Sequence, residues 1–331
     1  MKGFWEIKKG KRRFLPACDY PHTKKEFIKA NGIRFWVERE GKGPPLILIH
    51  GGPGGNHCYF HPNISLLAKR RTLVYYDLRG HYMSSAPKDK NDYGLRQDAE
   101  DVEALRQALK LGKIDLLGHS YGGIVALRYA LTYPNSLKHI IFCSTPVDWT
   151  DEDRDKLLNS NPNYKKWLKK WEKAKSEEEK KALYYEWYFK RPINPESKKY
   201  NEMFRLSYKT RKSQKMLEVY EKNNTEPDWK NALLKINKPM LFIFGKYDLE
   251  ISSEKANKII SLLNNAQLVI FEESGHDPFT DEPEKFYEVV ERFLRGEFWG
   301  HRACPKTFFL TILFDVLKSP IISFYAKYNN T

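Results

Sequence analysis

The chain has 331 residues, 41% of them hydrophobic, and a formal net charge of +15. That length and apolar content provide for a sizeable core and exclude a low-complexity chain. The positive excess is peripheral, with nine Lys/Arg against three Asp/Glu over residues 1–29 and 23 against 15 over 151–238; without an Arg-rich run interleaved with aromatics it reads as a solvated lysine surface, with no nucleic-acid partner.

Residues 1–26 form a basic extension that lacks the apolar stretch of a secretory signal. "FIKANGIRFWVERE" (27–40) alternates about Asn31-Gly32, a pair that tolerates the positive φ of a tight hairpin turn. "PPLILIHGGPGG" (44–55) is a continuous apolar run into a glycine loop, the pattern of a strand buried on both faces. "RTLVYYDLRG", "KIDLLGHS", "LKHIIFCST", "KPMLFIFGKYD" and "AQLVIFEESGH" repeat that form. Helical patterns such as "GLRQDAEDVEALRQALKLG" and "SSEKANKIISLLNN" fall between them. The alternation predicts an α/β fold with a mostly parallel central sheet flanked by helices.

The alternation breaks over 147–238, which is polar, Lys-rich and helical, with aromatic clusters such as "YYEWYF". An insertion between two sheet strands reads as a helical cap, leaving 27–146 and 239–296 as the core. Residues 297–331 are apolar, but Asp315, Lys318 and Pro320 interrupt them. A helix over 306–318, packed on the body or on another copy of the chain, is expected in preference to membrane contact. The four cysteines, Cys18, Cys58, Cys143 and Cys304, are scattered without a CxxC pair, the usage of free thiols in a reduced, cytoplasmic setting.

The chemistry centres on "LLGHSYGGIVALRYALTYP". Gly-x-Ser-x-Gly after a strand and before a helix is a nucleophile elbow, with Ser120 as nucleophile. A serine hydroxyl needs a base, and His276, in the loop after the last strand, is in position to be one. Asp281 is expected to cap the next helix, with Glu284 three residues later. Asp248, ending the preceding strand, is the expected acid, with Asp148 as its rival; the order Ser…Asp…His is that of α/β-hydrolases. The oxyanion donors are expected to be the amides of Tyr121 and, from "HGGPGG", Gly52. In "DLRG", Asp77 and Arg79 read as structural, Arg79 tying loops together. His57 and His61 are spaced i, i+4 as metal ligands can be, but no acidic partner or zinc pattern accompanies them; they are expected to line a loop or pocket wall, and neither a metal nor an organic cofactor is expected.

Taken together, "HGGPGG", "YYDLRGHYMSS", "GHSYGGIVALRYALTYP", "GKYD" and "SGH" resemble the proline iminopeptidase group of α/β-hydrolases, from about Phe27 to Gly296. The resemblance implies a serine aminopeptidase that releases an N-terminal residue, often proline, from short peptides, with Ser120, Asp248 and His276 as its triad. It also implies an anionic site for the substrate's free amine, for which Glu186, Glu218 and Glu221 are the cap candidates. The family pattern has a glutamate directly after the catalytic acid and a glycine where this chain has Leu249 and Tyr82. A carboxylesterase or lactonase acting on small esters is the alternative enzyme. A ligand-binding protein without catalysis is the alternative of another class.

Overall fold

The computed structural model describes residues 23–297 except 62, 90, 149, 161, 177–178, 180–182, 184–213, 224–227 and 249–250, together with the backbone of 3–8 and 11–16. That backbone is an antiparallel pair, β1 (Gly3–Lys8) and β2 (Lys11–Pro16). The other strands form one eight-stranded sheet. They are β3 (Lys24–Ala30), β4 (Ile33–Glu40), β5 (Pro45–Ile49), β6 (Thr72–Tyr76), β7 (Ile114–His119), β8 (Leu137–Cys143), β9 (Met240–Gly245) and β10 (Ala266–Phe271), in the order β10-β9-β8-β7-β5-β6-β4-β3. β5 to β10 pair in parallel, whereas β3 and β4 are an antiparallel hairpin at one edge. That hairpin turns at Asn31 and Gly32, with φ of 44° and 72°.

Each apolar strand serves two cores because successive side chains alternate between faces. Ile47, Ile49, Phe242 and Phe244 join one cluster, and Leu46, Leu48, Leu241 and Ile243 join the other. The first face carries α1 (Leu95–Ala108) and α2 (Tyr121–Thr132), and between β8 and β9 the described elements are all helices: α3 (Asp151–Ser160), α4 (Pro162–Lys173), α5 (Gln214–Asn223) and α6 (Trp229–Leu234). After β9 come α7 (Ser253–Ile260), α8 (Pro278–Asp281) and α9 (Pro283–Leu294), the last two packing on the second face. The α/β architecture is thus the expected one, mostly parallel with flanking helices.

Two expectations are corrected. Asp281 does not cap a helix: it ends α8, and Glu282 stands at the N-cap of α9. The proline at 283 forces a new helix start there. Cys58 is disulfide-bonded, to a partner outside the described residues, whereas Cys143 is free and buried. Sequence spacing carries no information on which distant cysteines meet in space. The expected helix over 306–318 lies outside the described residues. Among the described residues no helix is long and apolar enough to cross a membrane.

Two glycines separate conformational strain from crowding. A Cβ at Gly32 meets nothing within 4 Å, so Gly32→Ala carries only the left-handed backbone penalty, about 1 kcal/mol. A Cβ at Gly122 would lie 2.1 Å from the Ile49 carbonyl oxygen, so Gly122→Ala is expected to cost about 3 kcal/mol or more. Equilibrium denaturation of the two variants checks the ranking.

Candidate active site

β7 is buried along its whole length and ends against Ser120, whose φ of 53° and ψ of −122° are strained for a residue with a Cβ. The Ser120 amide donates to the Cys143 carbonyl at the end of β8 (2.9 Å), and the Ser120 carbonyl accepts from the Gly123 amide (2.9 Å), which starts α2. The turn leaves no room for side chains on its flanks. A Cβ at Gly118 would stand 2.2 Å from the Gly122 carbonyl oxygen, and one at Gly123 would stand 1.9 Å from Thr145 Oγ1. Ser120 stays half-buried at the head of the helix, where the first-turn amides favour negative charge.

The Asp248 carboxylate accepts at Oδ2 from His276 Nδ1 (2.8 Å), and both residues are buried. Asp248 Oδ1 accepts from the Ile251 amide (3.1 Å), which orients the carboxylate. The rival Asp148 is exposed. The loops carrying the acid and the histidine are tied together. The Lys246 amide donates to the Phe271 carbonyl and the Tyr247 amide to the Ser274 carbonyl, both at 2.9 Å. Asp281 Oδ2 accepts from the Gly275 amide (2.9 Å), and Glu282 Oε2 accepts from Ser274 Oγ (2.6 Å) and the Glu273 amide (3.0 Å). The residue expected as a cap therefore braces the His276 loop.

His119 joins these pieces, and the sequence reading gave it no role. Its Nε2 bonds the His276 carbonyl (2.9 Å), which can only accept, so Nε2 carries the proton. Nδ1 then accepts from the Tyr59 hydroxyl (2.8 Å), and that hydroxyl accepts from the Gly51 amide. One chain of bonds thus links the glycine loop, the elbow and the histidine loop. The His119 and His276 rings also meet edge to face, with centroids 4.9 Å apart.

The glycine loop is held from behind. His50 Nδ1 donates to the Gly51 carbonyl (2.8 Å) and Nε2 accepts from the Leu78 amide (3.1 Å). Full burial pulls the His50 pKa down to about 4, which keeps this two-way role intact. His81 Nε2 accepts from the Gly54 amide (2.8 Å) and Nδ1 donates to the Arg79 carbonyl (2.8 Å). Gly51 lies against the elbow, since a Cβ there would sit 3.1 Å from Ser120 Cβ. Gly52, with φ of +136°, is exposed, and among the described residues its amide has no acceptor.

Arg79 ties loops as expected, with Nε and Nη2 donating to the two oxygens of Asp101 (2.7 Å each) and Nη1 to Asp92. Tyr82 takes φ of 33°, so the left-handed conformation that suits glycine is here carried by tyrosine. Among the amine-site candidates, Glu218 is exposed on α5, while Glu186 and the side chain of Glu221 lie outside the described residues.

Asp98 is a further site-adjacent group. It is fully buried on α1, accepting at Oδ2 from Tyr121 Oη (2.8 Å) and at Oδ1 from Tyr220 Oη of α5 (3.0 Å). It links the residue after Ser120 to the helices inserted between β8 and β9. A signal existed in the sequence: Asp98 and Asp101 share the α1 face of Val102 and Leu105.

Residues 44–283 match the family model described as the alpha/beta hydrolase fold. The chain belongs to the α/β-hydrolase family. This hydrolase is 32% identical over 267 residues to a proline iminopeptidase of Saccharolobus solfataricus, covering 77% of this chain and 86% of that protein. It is 28% identical over 284 residues to a proline iminopeptidase of Heyndrickxia coagulans, covering 82% and 98%. Its structure superposes on that of an esterase from Exiguobacterium antarcticum with a TM-score of 0.64 and 25% identity, over 81% of this hydrolase and 98% of the esterase.

Burial, with the Asp101 charge added, pushes the Asp98 pKa up to about 7, against the lowering by Tyr121, Arg79 and Tyr220. A carboxyl whose folded pKa is raised contributes stability below its ordinary value and loses it as pH climbs through the folded one. Asp98→Asn copies the protonated form at every pH. Its unfolding free energy minus that of the unsubstituted hydrolase is therefore expected to rise between pH 3.8 and about 7. Urea titrations across that range check it, and a flat difference contradicts the assignment.

Proposed function

We propose that this hydrolase acts through Ser120, His276 and Asp248 by way of an acyl-enzyme, and that it is an aminopeptidase of the proline iminopeptidase type acting on short peptides. The observation that carries the reading is a strained Ser120 elbow whose neighbour His119 bonds the His276 carbonyl, together with a buried Asp248–His276 hydrogen bond, in the chain order Ser…Asp…His. Ser120 Oγ attacks the scissile carbonyl carbon while His276 takes its proton. Asp248 accepts from His276 Nδ1, which fixes the tautomer with Nε2 as base and stabilises the imidazolium that forms. The amides of Gly52 and Tyr121 donate to the oxyanion, Gly52 being the loop glycine whose amide has no acceptor among the described residues. The imidazolium returns its proton to the leaving amine, and a water activated by His276 then releases the acyl group and frees Ser120.

The peptide class rests on the two proline iminopeptidase relatives, which this hydrolase matches over most of its length. A small-ester hydrolase is the second reading, favoured by the esterase neighbour and by the exposure of Glu218. The helices between β8 and β9 would act as a cap over the site in either case, and they reach the core through Tyr220 and through Asn223, whose Nδ2 donates to the Tyr93 carbonyl (2.7 Å).

Ser120→Ala is expected to abolish fluorophosphonate labelling, and Asp248→Asn to lower kcat about 10⁴-fold with little change in fold. Labelling that persists in Ser120→Ala contradicts the nucleophile. Prolyl and alanyl arylamides are expected to be cleaved at least tenfold faster than their N-blocked forms, since the amine site needs a free charge. Equal rates, with p-nitrophenyl acetate as the better substrate, would select the esterase.

A further inference from the structure

Glu38, His57 and His61 meet on the sheet face of Tyr75, and all three are fully buried. Glu38 comes from β4, while His57 opens the short 3₁₀ turn after the glycine loop and His61 closes it. The i, i+4 histidines have no acidic neighbour in sequence; the fold supplies one from nineteen residues upstream. Donor atoms of all three residues lie within 4.8 Å of one another. His57 Nε2 is 3.2 Å from Glu38 Oε1, and His61 Nε2 is 3.6 Å from Glu38 Oε2.

The outer nitrogens decide what faces the centre. His57 Nδ1 donates to Asp77 Oδ1 (2.7 Å). Ser65 Oγ gives its only proton to Glu40 Oε1 (2.6 Å), so in its contact with His61 Nδ1 (3.2 Å) the ring is the donor. With Nδ1 of each ring bonded outward, both Nε2 atoms face the Glu38 carboxylate. Glu38 is itself oriented, accepting at Oε1 from Trp36 Nε1 (3.1 Å) and at Oε2 from Thr23 Oγ1 (2.9 Å). Glu38 and Asp77 flank His57 as buried anions, and positive charge must stand between them: a proton on His57, whose pKa the two carboxylates raise to about 10 against the desolvation, or a bound cation. Imidazoles whose far N–H is bonded to a carboxylate or hydroxyl are the usual outer arrangement of metal-bound histidine.

We propose that Glu38, His57 and His61 bind one divalent cation of the zinc type, which fastens β4 to the segment following the glycine loop. Metal–donor bonds of about 2.0–2.2 Å put tetrahedral donors about 3.3–3.6 Å apart; the approaches of His57 and His61 to Glu38, 3.2 and 3.6 Å and each to a different oxygen, are close to that spacing. Two imidazoles and one carboxylate suit zinc or cobalt better than magnesium or calcium. A dication also balances Glu38 and Asp77 together. The fourth position is left for water.

The test uses the full chain, grown with zinc or refolded with excess zinc, then passed through gel filtration and assayed by elemental mass spectrometry. The expected result is about one zinc per chain, with a first shell of nitrogen and oxygen at about 2.0–2.1 Å and imidazole scattering in X-ray absorption. His61→Ala and Glu38→Gln are each expected to lower the zinc content at least tenfold while circular dichroism stays unchanged. Less than a tenth of a zinc per folded chain overturns the proposal in favour of a proton shared among Asp77, His57 and Glu38. So does a zinc content that both folded variants retain. If neither variant folds, the absorption spectrum of the unsubstituted chain decides, and sulfur in its first shell overturns the site.

Discussion

Crowding of backbone around residues 118–123 is the constraint on which the rest of this structure depends. β7, the start of α2 and the end of β5 approach so closely that Gly118 and Gly122 leave no space for a single Cβ. That proximity comes from the sheet order, in which β7 pairs with β5 and Gly118 lies opposite Ile49. The next strand after β5 in sequence, β6, lies on its other side. The chain therefore diverges at this point, and a crevice opens above the strand ends, as at topological switch points of α/β sheets. Ser120 and the glycine loop share that crevice because their strands are neighbours.

Around the elbow, histidines serve as rigid two-ended spacers. His50, His81 and His119 are buried, and each donates from one nitrogen and accepts at the other. A neutral imidazole so bonded has no unsatisfied polar atom, which limits the cost of burying it. Ionisation of any of them would turn an acceptor into a donor and break one link. The depressed pKa of His50 shows the environment opposing that change. His276 differs: its Nδ1 faces a carboxylate, which stabilises the charged ring.

The carboxylates divide in a similar way. Asp101 is hydrogen-bonded to the Arg79 guanidinium, and Asp98 is buried beside it, bonded to the Tyr121 and Tyr220 hydroxyls, so the charge of one is compensated by a direct ion pair and that of the other by Arg79 from a greater distance. Asp77, which reads in sequence as a structural strand end, anchors His57 through Oδ1 and the Met83 amide through Oδ2. These groups hold the loops above the sheet at fixed heights without taking part in the proposed chemistry.

Local sequence determined the elements. Alternating and continuous apolar runs marked β3 to β10, Asn31-Gly32 marked the hairpin, and Gly-x-Ser-x-Gly between a strand and a helix marked the elbow, because each depends on residues within a few positions of one another. The pairing of His276 with Asp248 instead of Asp148 was legible from chain order, since strand sequence and strand position run together in this fold. What only the tertiary structure decided was contact between residues far apart in the chain. The bracing role of Asp281, the bonds of His119 to Tyr59 and His276, the two tyrosines on Asp98, and Glu38 beside His57 and His61 all belong there. A buried polar side chain is satisfied by whichever partner the packing brings to it, and no periodicity in the sequence encodes that partner.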